Sequence, residues 1–340
     1  MSDTTDTTAP PATRRPDRGR RLLKVYLEKP ELAGLVLLVA LVAFFQLRSD
    51  GVFLSEANLR GILGILPEVG LVAVGVTILM IAGEFDLSVG SVFALMPMSV
   101  TLLLNEGVPF AGAMLLGLGV CACVGVVNGV VTMRFAIPSF ITTLGMLFVA
   151  RSLTVVISGG FPPLLPLDIP SWLFTQFVGP VRLSMLWFVG IAVLLGLMLT
   201  RTNLGNWIRA TGGNLEAAKS MGIPVQRVKL FCFVLCSMLA GLAGTIQVFR
   251  LGSPLPSLGE GLELQAVAAA VIGGTALAGG IGTVLGGVIG AVLLRVIDNG
   301  LVLTRVDANW FKFAVGTLLI LAVVSNAWLR KTARRLKVET

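Results

Sequence analysis

The chain has 340 residues, 55% of them hydrophobic and 13% charged, with a mean hydropathy of +0.92. A water-soluble globule carries about a quarter charged residues, so this composition excludes one. The net charge of +8 comes from clusters at Arg14 to Lys29, Arg201 to Lys229 and Arg330 to Lys337. Lys and Arg concentrate in the cytoplasmic loops of membrane proteins, so the basicity predicts contact with membrane lipid and no nucleic acid.

Residues 1–30 are polar and basic and read as a disordered cytoplasmic tail. Arg20-Arg21 resembles a twin-arginine export signal faintly, but Glu28-Lys-Pro-Glu31 separates it from the apolar run and no A-x-A site follows. No charge occurs in 32–47, 87–105, 107–133, 135–150, 183–200, 230–249 or 264–294, and Glu68 alone interrupts 61–83. About 20 helical residues, or somewhat fewer, cross a hydrocarbon core. The pattern predicts an all-α polytopic membrane protein. A β-barrel is excluded, since segments of about ten residues alternating in polarity are absent.

About ten transmembrane helices are expected, over 31–47, 59–82, 88–104, 109–131, 137–157, 183–199, 229–249, 263–277, 281–303 and 309–327. The basic N-terminus, the basic 201–228 loop and the basic C-terminus should all be cytoplasmic, with even numbers of crossings between them. Parity then requires the long run 264–294 to be split near Gly279-Gly280, where paired glycines favour a break. The glycines at 282, 286, 287 and 290 suit close helix packing in lipid. Similar patterns around 71–95 and 267–291 suggest two repeated halves, a common transporter design. The longest expected outer connection, 158–182, is rich in proline and could lie along the membrane surface.

The loop 201–228 holds a short polar helix, Asn214-Leu-Glu-Ala-Ala-Lys-Ser-Met-Gly222, followed by Pro224. Asn214 suits the N-cap, Glu216 the positive end of the dipole, and Gly222 the left-handed closure. Two turns of helix are unstable alone in water. The segment is either a docking surface or an ordinary connector between spans.

Histidine is absent, and Cys121, Cys123, Cys232 and Cys236 lie in apolar runs, where they read as small buried residues rather than a metal site. No lysine follows a glycine, so a phosphate-binding loop is excluded. The chain is expected to be non-catalytic and to bind no cofactor itself.

Four ordered segments carry a family resemblance: Gly83-Glu-Phe-Asp-Leu-Ser-Val-Gly-Ser91; Asn128-Gly129 with Ile137-Pro-Ser-Phe-Ile-Thr-Thr-Leu-Gly145 and Arg151; Gly212 to Ile223; and Gly273-Gly-Thr-Ala-Leu-Ala-Gly-Gly280 with Asn299-Gly-Leu301. Together they resemble the permease subunits of ribose-type ABC importers, which carry monosaccharides and related polyols. The resemblance implies a permease domain over 31–327 and location in a bacterial inner membrane; outside it, the basic residues of 328–340 read as a cytoplasmic tail. It implies three partners: an ABC ATPase that uses ATP, a periplasmic sugar-binding protein, and a second permease subunit forming a homodimer or heterodimer. Glu216-Ala217-Ala218 and Gly222 resemble the core of the importer loop signature, although the Ile-x-Leu-Pro that ends the longer signature is missing. By that likeness Asn214, Glu216, Ala217, Ala218, Lys219, Gly222 and Arg227 would form the ATPase-docking loop.

Polar residues at membrane depth are costly and mark function by default. Glu68, Asp86, Asn128, Thr142, Thr143 and Arg151 are the candidates for the pathway or its gate. Asp86 or Ser88 could instead cap the helix that starts near 88, and Asn128, Thr142 and Thr143 could join helices to one another. Arg151 needs a counter-charge, for which Glu68 is one option, or a wet surface. Arg295 and Asp298, three apart, can pair on one helix face. The competing class is a stand-alone ion-coupled secondary transporter, which the missing histidine and the scarcity of buried carboxylates oppose. A membrane-embedded enzyme would lack its reactive groups.

Overall fold

A computed structural model describes residues 31–307 and 309–338, the last of these (325–338) by backbone alone. Helices follow in the order α1 (Glu31–Arg48), α2 (Glu56–Ile81), α3 (Val89–Asn105), α4 (Phe110–Arg134), α5 (Ser139–Ile157), α6 (Trp172–Thr175), α7 (Leu183–Arg201), α8 (Asn203–Gly213), α9 (Leu215–Ser220), α10 (Val225–Leu251), α11 (Leu262–Ile272), α12 (Val284–Leu303) and α13 (Trp310–Val338). Seven of them (α1, α2, α4, α5, α7, α10 and α12) are long and apolar enough to cross a membrane. Three shorter apolar helices, α3, α11 and Trp310–Val324 of α13, overlap the remaining expected spans. The expected tail 1–30 lies outside the described residues, and the backbone of α13 runs on through most of 328–340.

A helix that is apolar all round belongs in the middle of a bundle. α2 takes that place, with 89% of its membrane-length window buried, followed by α10 at 67% and α12 at 61%. In α1, α4, α5 and α7 only 11–22% is buried, so their apolar side chains face outward, as a lipid-facing ring does. Small residues set the closest crossings. A Cβ on Gly244 of α10 would fall 1.7 Å from the Phe93 carbonyl of α3, and one on Gly290 of α12 would fall 1.9 Å from the Ala269 carbonyl of α11. The glycines at 286 and 290 therefore serve helix contact, as their spacing predicts. A smaller apolar cluster of Phe45, Phe53, Ile62 and Val296 closes the other end of α12. There Asn58 and Asn299 exchange hydrogen bonds of 2.9 Å, which gives the Asn299-Gly300 motif a packing role.

The 158–182 connection contains α6 and a hairpin of two-residue strands, β1 (Phe177–Val178) and β2 (Val181–Arg182), within a fold that is otherwise helical. Its turn residue Gly179 sits at φ 63°, which permits so tight a return, and Arg182 lies over the Phe177 ring at 5.1 Å. The expectation of four buried cysteines needs correction: Cys121, Cys232 and Cys236 are buried, but Cys123 is exposed. It lies on an outward face of α4, where an apolar surface needs no protein cover in lipid. The 250–262 segment folds inward until Gly259 and Gly90 meet at backbone distance, at the first turn of α3.

Candidate functional site

The chain between α7 and α10 forms two short helices with well-defined caps. Thr202 accepts a hydrogen bond from Gly205 N at the start of α8, and Asn214 Oδ1 accepts from Ala217 N at 3.0 Å at the start of α9. Gly222 closes α9 at φ 77°, with Gly222 N donating to Lys219 O and Ile223 N to Ala218 O. Asn214, Glu216, Ala217, Lys219, Gly222 and Arg227 are exposed, and Lys219 Nζ reaches Glu216 at 2.9 Å along the surface. Ala218 points the other way and is buried. The two alanines thus have different jobs: Ala218 seats α9 on its own protein, and Ala217 leaves a shallow outer face. Met221, 78% exposed beside that face, is a further surface residue that the motif contained without its exposure being readable.

α8 and α9 are anchored at a junction of three backbones. Gly280 N donates to Ile81 O at 2.8 Å, tying the break between α11 and α12 to the end of α2. Gly212, at the end of α8, fits between them. A Cβ there would lie 1.9 Å from Ile81 O and 2.8 Å from Gly280 N. Across the same point, a Cβ on Gly279 would come 2.9 Å from Gly83 Cα. Gly279 and Gly280 have φ 81° and 77°, a region open to glycine at little cost, so they supply both the turn and the close approach. The expected split of 264–294 is therefore present, and it meets the other break in the bundle. Lys229 at the start of α10 adds a salt bridge to Glu84.

The break at 82–88 is held by α4 and α5. Asp86 is fully buried; its Oδ1 accepts from Ser88 N at 2.8 Å and from Ser88 Oγ at 2.6 Å. Asn128 Nδ2 donates to Ser88 Oγ at 2.9 Å and, more weakly, to Asp86 Oδ2 at 3.4 Å. On α5, Ser139 Oγ accepts from Phe85 N and Thr143 Oγ1 from Leu87 N, each at 3.0 Å. The Gly83–Ser91 and Ile137–Gly145 motifs are thus one structure: side chains of the second satisfy the opened backbone of the first. Backbone that leaves a helix in a buried place needs such partners. Asp86, Asn128 and Thr143 come together here, while Thr142 does not join them.

Glu68 and Arg151 do not pair. Arg250 at the end of α10 donates to both Glu68 oxygens, at 2.7 and 3.1 Å. Arg151 instead donates to the carbonyls of Pro256 at 2.6 Å, Leu258 at 2.7 Å and Gly90 at 3.2 Å. These carbonyl dipoles and the nearby Glu260 and Glu263 carboxylates answer its charge, and the grip draws the 252–261 segment onto α3. Arg295 and Asp298 form the expected pair at 3.0 Å.

A bundle built around broken helices, with an outward-facing capped loop helix anchored to the breaks, defines a multi-pass membrane protein of the transport-permease class. The chain belongs to the family described as branched-chain amino acid transport system / permease component, which matches residues 58–323. It is 36% identical over 316 residues to the ribose import permease protein of Escherichia coli (strain K12), covering 90% of this chain and 96% of that one. It is 34% identical over 308 residues to a probable ABC transporter permease protein of the same organism, covering 90% and 92%. A xylose/arabinose import permease protein of Sulfolobus acidocaldarius is 30% identical over 320 residues, with 89% and 86% covered. No solved structure matches.

Proposed function

We propose that this chain is the transmembrane subunit of an ATP-driven ABC importer, lining the route of a monosaccharide or related small polyol. Two permease subunits, identical or different, would form the pathway in a bacterial inner membrane. A separate ATPase would hydrolyse ATP and a periplasmic binding protein would deliver the solute, so this subunit itself needs no cofactor. Ten crossings with both termini in the cytoplasm would need the seven long helices, α3, α13, and α11 continued by the 273–283 segment, since the 11 residues of α11 rise only about 16 Å. The contact of the 82–88 and 273–283 breaks fits two related halves meeting face to face.

The observation that carries the proposal is the two-sided character of the loop. Its outer face presents Glu216, Ala217, Lys219 and Met221, while its inner end is packed into the glycine junction with both breaks. A partner that closes on α9 would push on α8, and α8 has no slack against Ile81 and Gly280. Domain closure in the partner then becomes relative movement of the helix breaks. The names of the relatives support sugar as the solute class.

Purifying the tagged chain from its native membrane in mild detergent, with mass spectrometry of what accompanies it, tests the proposal. Recovery of an ABC ATPase that is lost on Glu216→Arg or Met221→Asp supports it. Repeated recovery of the permease alone, under crosslinking, would favour a self-sufficient ion-coupled transporter.

A further inference from the structure

A cavity of about 310 Å³ lies among α2, α3, α10, α11, α12 and α13. That is at the lower end of the range for small-molecule sites, roughly 300–1,000 Å³. Its polar wall is built from Glu68, Gln247, Glu260, Gln265, Arg295 and Asp298, and Phe93 and Phe311 supply apolar rings. Gly259 in its wall rests against Gly90, at the start of α3, so the inward-folded 252–261 segment forms one side of it.

Most of the charge in the wall is paired. Glu68 is neutralised by Arg250 and Arg295 by Asp298, while Glu260 forms no ion pair among the described residues and shares the field of Arg151 with Glu263. Beside these charges the wall offers directional hydrogen bonding. Among the described residues, Arg295 Nε is buried without a partner, and the amides of Gln247 and Gln265 have no protein hydrogen bond. A neutral solute with several hydroxyl groups matches such a wall better than an ion does, because each hydroxyl both donates and accepts. The two phenyl rings bound its carbon skeleton. Paired charges and amides also make a shallow site, which suits a conduit that must release what it takes up.

We propose that this cavity is a transient binding site for a small uncharged polyhydroxyl solute, with Gln247, Gln265 and Arg295 as its hydrogen-bonding groups. The inference rests on the sugar-importer reading and adds a place on this chain where the solute stops. No sequence motif marks it, since its residues come from six helices and one inward-folded segment.

Cysteine protection tests it. In a Cys123→Ser background, Gln247→Cys and Gln265→Cys are made separately in the complete transporter, with Glu56→Cys, exposed at the start of α2, as control. A membrane-impermeant methanethiosulfonate is added to right-side-out vesicles. Both cavity cysteines should react, and excess D-ribose or D-xylose should slow them several-fold while leaving position 56 unaffected. Failure of both cysteines to react, or equal rates with and without sugar, would overturn the proposal. Protection by sodium chloride and not by sugar would overturn it too, by making the site ionic. Uptake of the same sugars with and without the ATPase distinguishes the two readings. ATPase-dependent uptake without protection removes the site and keeps the importer; protection without ATPase dependence does the reverse.

Discussion

Arg250 closes over Glu68 with two hydrogen bonds, 2.7 and 3.1 Å, joining the end of α10 to the most deeply buried helix of the protein. The Glu68 side chain is only 2% exposed. A buried carboxylate deprived of its partner is costly, whereas removal of both partners is often tolerated. Arg250→Met alone is therefore expected to destabilise the fold by about 3–5 kcal/mol, and Arg250→Met with Glu68→Leu to recover most of that. Thermal aggregation in detergent measures both. Rescue of Arg151→Ala by Glu68→Ala is not expected, because those residues do not touch.

The glycine junction predicts a contrast between neighbours. Gly212→Ala places a methyl group against the Ile81 carbonyl and should abolish assembly or cost well beyond the usual 1–3 kcal/mol of overpacking. Gly213→Ala meets nothing nearer than Gly280 Cα at 3.9 Å and should assemble normally. Yield and monodispersity by size exclusion separate them. Equal behaviour would mean that the three backbones are not in contact.

Asp86→Asn tests the break at 82–88. The substitution keeps one acceptor oxygen for Ser88 but faces Asn128 Nδ2 with a second amide donor. A lost or opposed buried hydrogen bond costs about 1–3 kcal/mol. Assembly should persist and uptake should fall about tenfold, as about 1.4 kcal/mol gives. Normal uptake would reduce Asp86 to a helix-capping role.

Asn214→Ala removes the α9 cap. Loss of such a cap costs about 1 kcal/mol. Affinity for the ATPase should weaken by about fivefold, while membrane insertion is unchanged, since the cap lies on the exposed loop. A biolayer binding assay with the purified ATPase would read the difference. Coincident loss of insertion would show that the loop serves folding instead of docking.

Local features were legible in the sequence and tertiary ones were not. The Asn214 cap, the Gly222 closure, the Arg295–Asp298 pair and the split at Gly279-Gly280 depend on spacings of a few residues, and each is present. The partner of Glu68 is 182 residues away, and with two arginines at similar depth no spacing rule selects Arg250 over Arg151. The inward course of 252–261 was hidden for a related reason. Its Gly and Pro residues announce a loop, but its direction is set by Arg151 reaching from α5 to the carbonyls of Pro256 and Leu258. Similarly, Ala217 and Ala218 are identical in composition, and only the packing of α9 turns one outward and the other inward. The glycine pairs signalled flexibility or close contact without naming which backbones would meet.

Seating of α9 on an ABC ATPase is tested by a photocrosslinking amino acid at Met221 in intact cells, with the irradiated adduct identified by mass spectrometry. One dominant adduct with an ABC ATPase is expected, abolished by Glu216→Arg and absent when the photoprobe replaces the buried Ala218. Adducts with lipid alone, or with unrelated cytoplasmic proteins at random, would contradict that seating.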